Sequence, residues 1–342
     1  MIEKETTRGK NKFILIAIIF AAVSICFLFV FIRNKQDKNT SNELDLVSSF
    51  YSDAHTKQDV YQSIENQETE EHSARETQTL YTTAAVQNTT ESERGIMQTS
   101  IPVTNNLDDL EHLLLQKIQT YSGDWSLYVK YLPENTTVEI NEQQMVAASL
   151  IKLFIMADFL EQAESGLVAP GIEAERLLGE MITVSDNAAT NELVSRIGAG
   201  DTNNGRESVN AYCLQNGYFH TQQNRDLAVE SSLENYTSAK DTGKILENIY
   251  RRTCISEPAD TYMLDLLKAQ QRQNKIPAGI PEGIVVANKT GELMEIENDA
   301  AIVFSPGGDY IFCVMSSGLE NTGKAREQIV ELSALIYAYF NP

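Results

Sequence analysis

The spacing of apolar and polar positions changes character twice along the chain. Residues 13–32 are apolar at every position but Ser24, about the length a helix needs to cross ~30 Å of hydrocarbon. Residues 34–106 then lose any sustained period of 2 or 3.6 and are rich in Ser, Thr, Asn, Gln and Glu, the composition of a disordered tether. A flexible chain of that length has an end-to-end distance of roughly 45 to 50 Å. From Leu107 onward, helical and strand periods alternate as in a globular α/β domain.

Within that domain, the apolar positions after residue 107 predict a helix that Asn106 is placed to cap, then a hairpin of strands at 125–132 and 137–140 turning at Pro133-Glu134-Asn135. Helices are expected at 149–165, 173–180, 187–197 and 206–216, then at 237–252 and 257–271, the last with Ser256 as its cap. Residues 217–236 carry turn chemistry. Strands are expected at 283–289, 300–304 and 310–316, with Gly307-Gly308-Asp309 turning the final pair, and a closing helix at 323–339. A strand pair and a helix thus open the domain, helices fill its middle, and three strands and a helix close it.

Composition narrows the classes of function. The net charge is −21, and the first forty residues carry more basic than acidic groups, so the acidity lies in the remainder. Such a domain repels nucleic acid, which is not expected as a partner. The four cysteines are too few for a disulfide framework, and Cys26 falls inside the apolar run. The four histidines are scattered with no pair at ligand spacing, so neither a metal nor another cofactor is expected. Arg33-Asn34-Lys35 follows the apolar run directly, where a cleaved signal would show small residues; this favours an uncleaved anchor. Flanking charge leaves orientation open, since Lys4, Arg8, Lys10 and Lys12 precede the run while Arg33, Lys35 and Lys38 follow it.

Three short motifs occur once each, in order: Ser149-x-x-Lys152, Ser185-Asp186-Asn187 and Lys289-Thr290-Gly291. An isolated Ser-x-x-Lys turns up about once in a chain this long by composition alone. All three in sequence, the first opening a helix and the third closing a strand, do not. Residues three apart on a helix share a face, which brings Lys152 within reach of Ser149 as its base, and a second cation, Lys289, is placed to lower the Lys152 pKa. Ser185 is suited to relay a proton to a leaving nitrogen, Asn187 to hold a substrate amide, and Thr290 with Lys289 to bind a carboxylate. Gly291 lets a substrate lie close to the strand edge, and the N–H groups of Ser149 and Glu292 are the candidate oxyanion donors. Asp186 is expected to be structural.

With these motifs, and with the segments beginning at Asn235-Tyr236-Thr237 and Glu297-Asn298-Asp299, the chain from residue 107 resembles the class A β-lactamase and penicillin-binding serine hydrolase family. The resemblance implies an α/β (α+β) fold with a five-stranded antiparallel sheet flanked by helices, a helical subdomain and an acyl-serine intermediate. It also places the catalytic domain (107–342) outside the cell, behind a cytoplasmic tail (1–12), a membrane anchor (13–32) and a linker (33–106). The expected substrates are β-lactams, or alternatively peptides of peptidoglycan ending in D-alanyl-D-alanine; a penicillin-binding sensor or wall-associated scaffold without turnover is a further reading.

Two departures from the family stand out. The stretch from Lys152 to Ser185 is short, which suggests a more open cleft. The loop before Thr237 lacks the Glu-x-x-Leu-Asn element whose glutamate activates the deacylating water: Glu230 has Leu233 three later, but Asn235 falls one place late. Glu230, Asp226 and Glu234 are therefore read as solvated loop carboxylates, and the missing glutamate argues against fast turnover.

Overall fold

A computed structural model describes residues 107–342. The expected tail, anchor and tether, and the capping residue Asn106, lie outside the described residues. The first helix, α1 (Asp108–Ile118), turns Leu110, Leu114 and Ile118 to one face by their spacing of four. Strands β1 (Asp124–Tyr131) and β2 (Thr136–Ile140) form the expected hairpin. The chain continues through β3 (Met145–Val146), a 3-10 turn (Ala148–Leu150) and α2 (Ile151–Glu164), then α3 (Ile172–Thr183), α4 (Asn187–Ile197) and α5 (Thr202–Gln215). Strand β4 (Tyr236–Thr237) pairs with β3, and α6 (Ala239–Arg251) and α7 (Glu257–Lys268) follow. The domain ends with β5 (Val285–Leu293), β6 (Ile296–Phe304), β7 (Tyr310–Ser317) and α8 (Thr322–Phe340).

The five long strands make one antiparallel sheet in the order β2-β1-β7-β6-β5. Alternation decides which side chains reach which layer. Trp125, Leu127 and Val129 of β1 join Phe312 and Val314 of β7 in a core with α1 and with Ile329, Leu332 and Ile336 of α8. Each such fully buried side chain contributes about 1.5–3 kcal/mol. On the opposite face α6 crosses β1, β7 and β6 while α7 lies along β5. Helix α2 is buried at every position from Ile151 to Leu160, because α3, α4 and α5 surround it. Ser256 caps α7 as expected, accepting from Ala259 N, and Ser238 and Asn321 cap α6 and α8 in the same way.

Two boundaries differ from expectation in a way that matters for the site. The Lys289-Thr290-Gly291 motif does not close a strand: it stands in the middle of β5, which runs on to Leu293, and β6 begins at Ile296, well before residue 300. The cause is a row of buried polar residues that reads as turn but satisfies itself in the sheet. Asn298 Nδ2 donates to Val146 O (3.0 Å) and Ala147 O (3.3 Å), and its Oδ1 accepts from Ser316 N (3.0 Å). Asp299 accepts from Ile276 N and from Asn288 Nδ2, both at 3.0 Å. Replacing Asn298 by alanine strands two buried backbone groups, Ala147 O and Ser316 N, and a part-buried one, Val146 O, so unfolding free energy should fall by about 2–3 kcal/mol, read as a lower midpoint in urea with unchanged slope.

Candidate active site

Ser149 sits in the 3-10 turn that leads into α2, with Ala148 forced to φ +48° just before it. That conformation is costly for a residue with a Cβ. Three contacts hold it: the two Asn298 bonds to Val146 O and Ala147 O, and Ala147 N donating to Asn235 O at 2.8 Å. From the other side β5 presses its glycine against the turn. A Cβ on Gly291 would lie 2.9 Å from Ala147 O and 3.3 Å from Ser149 N. Glycine is thus required here by contact between strand and turn, which the reading of Gly291 as a substrate-facing gap did not foresee.

Lys152, one turn along and fully buried, does not bond Ser149 in this structure. Its Nζ donates to Ser185 O (2.6 Å), Ser185 Oγ (3.1 Å) and Asn187 Oδ1 (2.8 Å). Lys289, also fully buried, reaches the same hydroxyl from the sheet: its Nζ donates to Ser185 Oγ at 2.9 Å and to Thr290 O at 2.9 Å. Ser185 is delivered between the two amines by a left-handed backbone, φ +64°. Asp186 then caps α4, its Oδ1 accepting from Ala189 N at 2.7 Å. The expectation that Asp186 is structural agrees with this geometry.

Electrostatics follow from burial. Desolvation lowers the Lys152 pKa to about 7, opposed by Asp186 and assisted by Arg272. Burial likewise drives Lys289 well below its ordinary value, with Lys152 and Arg272 adding repulsion. Lys152 and Lys289 thus repel one another, as the sequence led one to expect, and Arg272 adds to the repulsion on both. Arg272 is half-exposed and pairs with Glu292 Oε2 at 3.1 Å, while fully buried Lys275 pairs with Glu292 Oε1 at 3.1 Å and Glu297 Oε2 at 2.7 Å. Neither Arg272 nor Lys275 stands in a motif, and only the fold brings them to β5.

Above Ser149 opens a cavity of about 360 Å³, walled on one side by Glu292 and Leu293 of β5 and on the other by Arg225 and residues 227–230 of the loop before β4. Asn191, one helical turn after Asn187 on α4, clamps this loop at both backbone groups of one residue: Leu227 N donates to Asn191 Oδ1 (2.8 Å) and Asn191 Nδ2 to Leu227 O (2.9 Å). Leu227 is therefore held rigidly in the wall. Of the acidic residues near it, Glu234 pairs with Arg225 (2.8 Å) and Asp226 with Arg206, while Glu230 lines the cavity and is exposed. Among the described residues no group of His, Cys, Asp and Glu is placed to hold a metal.

A model of a β-lactamase enzyme family matches residues 105–171 and 168–340. The chain belongs to this β-lactamase enzyme family. Solved structures agree. The protein PBP-A is 25% identical with a TM-score of 0.62, the match covering 69% of this chain and 97% of PBP-A. A point mutant of PBP-A, captured as an acyl-enzyme with penicillin G, is 24% identical with a TM-score of 0.63 over 69% of this chain and 97% of its own. A β-lactamase from Sphaerobacter thermophilus DSM 20745 is 20% identical with a TM-score of 0.61, covering 69% and 98%. No curated protein matches the chain in sequence. As a β-lactamase-family member the chain is a serine hydrolase. The three motifs, from α2, the α3–α4 connection and β5, meet within hydrogen-bond distance through Ser185, and Ser149, Asn187 and Glu292 line one cavity.

Proposed function

We propose that this serine hydrolase is held by residues 13–32 at the outer face of a cell membrane, where β-lactams or peptides ending in D-alanyl-D-alanine acylate Ser149, and that the acyl-enzyme is slow to meet water. The observation that carries the reading is the buried Lys152–Ser185–Lys289 chain, whose Lys152 follows Ser149 by three residues at the start of α2. With a pKa near 7, Lys152 is neutral in a substantial fraction of molecules at neutral pH, and on substrate binding its amine turns from Ser185 O to Ser149 Oγ. Ser149 Oγ forms the bond to the carbonyl carbon as its proton passes to Lys152. The N–H groups of Ser149 and Glu292 hold the oxyanion. The carbon–nitrogen bond then breaks, Ser185 gives its proton to the departing nitrogen, and the lysines reprotonate Ser185. Lys289 and Thr290 receive the substrate carboxylate, and Asn187, whose Oδ1 is taken by Lys152, keeps its amide N–H groups for a substrate carbonyl.

Slow deacylation is supported by the cavity wall. Leu227 is apolar, Glu234 and Asp226 are spent on arginines, and Glu230 stands exposed to solvent with no partner to orient it among the described residues. PBP-A, which this chain resembles, was trapped as a penicillin acyl-enzyme in a variant at one position. Mass spectrometry of the full-length chain incubated with benzylpenicillin should show one adduct on Ser149 that persists for minutes and is absent from Ser149→Ala. Decay within seconds would make the protein a fast β-lactamase, and no adduct at all would overturn the assignment.

A further inference from the structure

Of the two N–H groups assigned to the oxyanion, the one on the sheet is one end of a peptide whose other end is held by a buried cation. The N–H of Glu292 and the carbonyl of Gly291 belong to the same planar amide, so whatever fixes the carbonyl fixes the direction of the N–H. Lys275 fixes it. Its fully buried Nζ donates to Gly291 O at 3.3 Å and to Asn298 O at 3.0 Å, and these two residues stand opposite each other in the register of β5 and β6. The same ammonium pairs with Glu292 Oε1 at 3.1 Å, so groups on both sides of the Glu292 N–H are tied to one charge. Gly291 in turn presses on the turn that carries the nucleophile, where a Cβ would lie 3.3 Å from Ser149 N, the other donor. Lys275 is itself anchored from behind: the next residue, Ile276, donates its N–H to Asp299 Oδ2 (3.0 Å) and accepts at its carbonyl from Ser333 Oγ of α8 (2.7 Å).

Resting on the acyl-serine reading above, we infer that Lys275 is a positioning residue of the oxyanion hole: it orients the Gly291–Glu292 peptide and, by setting a positive charge on its carbonyl oxygen, strengthens the Glu292 N–H as a donor to the oxyanion. An amide whose oxygen accepts from a cation is polarised, and its N–H becomes the better donor. A donor fixed in this way costs no reorganisation as negative charge develops on the substrate oxygen. Neutralising the nearby carboxylates does not by itself account for the lysine, because each already has an arginine, Glu292 pairing with Arg272 and Glu297 with Arg326. What Lys275 adds to those pairs is a buried charge on the Gly291 carbonyl.

Infrared difference spectra of the benzylpenicillin adduct on the full-length chain, with an isotope label at the β-lactam carbonyl, read how strongly the ester carbonyl is hydrogen-bonded. Lys275→Met should move the ester band to higher wavenumber and slow acylation of Ser149 about tenfold, short of the 10²–10³ that loss of a whole oxyanion donor costs. Lys275→Gln, which keeps a neutral donor, should fall between Lys275→Met and the unaltered chain. Glu297→Gln removes the nearest counter-ion, 2.7 Å from Nζ, while leaving Lys275 on Gly291 O, and should move the band the opposite way. The band is read on folded adduct, with circular dichroism as the check, so a lysine that only stabilises the fold would not shift it. An unmoved band in the Lys275 variants, or one that rises equally in Glu297→Gln, overturns the inference; if neither Lys275 variant folds, an unmoved band in Glu297→Gln does the same. Absence of any adduct on the unaltered chain overturns the acyl-serine reading itself.

Discussion

Replacing Lys152 by alanine lowers the rate of adduct formation on Ser149 by about a thousandfold, and arginine at the same position does not restore it. A positioned general base is worth about 10²–10⁴ in rate, and the serine hydroxyl has no other buried amine one turn away on its own helix. Arginine keeps a cation in place but stays protonated at any usable pH, so it separates a base from a mere charge. The pH profile makes the same distinction. Burial lowers the Lys152 pKa to about 7, so below that value the amine is protonated and cannot accept, and the rate falls tenfold for each unit of acidity. Above it the rate levels. Stopped-flow acylation with a chromogenic β-lactam, with circular dichroism to verify folding, reads both effects. Wild-type speed in Lys152→Arg would remove the lysine from the mechanism.

The second large effect is a gain. Leu227→Glu should shorten the life of the penicillin adduct by at least about tenfold while acylation changes little. Leu227 is the one loop residue in the cavity wall whose backbone is clamped on both sides, by Asn191, so a longer polar side chain built there points from a fixed origin. Leu227 itself is buried, and burial raises a carboxyl pKa toward the range where a base is useful near neutral pH. None of the native carboxylates combines these properties: Glu234 and Asp226 are paired with arginines, and Glu230 stands in solvent. Time-resolved mass spectrometry after removal of free penicillin measures the adduct directly. An unchanged lifetime with normal acylation would show that water access, and not the missing base, limits turnover.

Much of this was legible in the chain because its signals are local. Caps such as Ser256, the alternation of β1 and the four-residue spacing in α1 need only neighbours in sequence, and the three motifs each announce a short stretch of chemistry. The misread boundaries arose where polar residues are buried. Asn298 and Asp299 look like turn residues until the strand brings Ala147, Asn288 and Ile276 to them. Arg272 and Lys275 were invisible for a related reason, since a lysine or arginine in a connection reads as solvated until its partners Glu292 and Glu297 arrive across the sheet. The Asn191 clamp had a faint signal, an asparagine one turn after Asn187 on the same helical face, but its partner Leu227 is set by a loop with no period at all. The direction of Lys152 was set by distance alone: Ser149 is three residues away along the helix, yet Ser185 and Asn187 take the amine in the resting state.

The nucleophile and the wall opposite it belong to different layers. Ser149 opens α2 of the helical layer, and Glu292 and Leu293 end a strand of the sheet. An acyl group fixed to the first and lying against the second acts as a rivet between them. For as long as the ester survives, opening of the seam between sheet and helices must either expose the acyl group or drag it, so an enzyme slow to release its product is also one that its own substrate fastens shut.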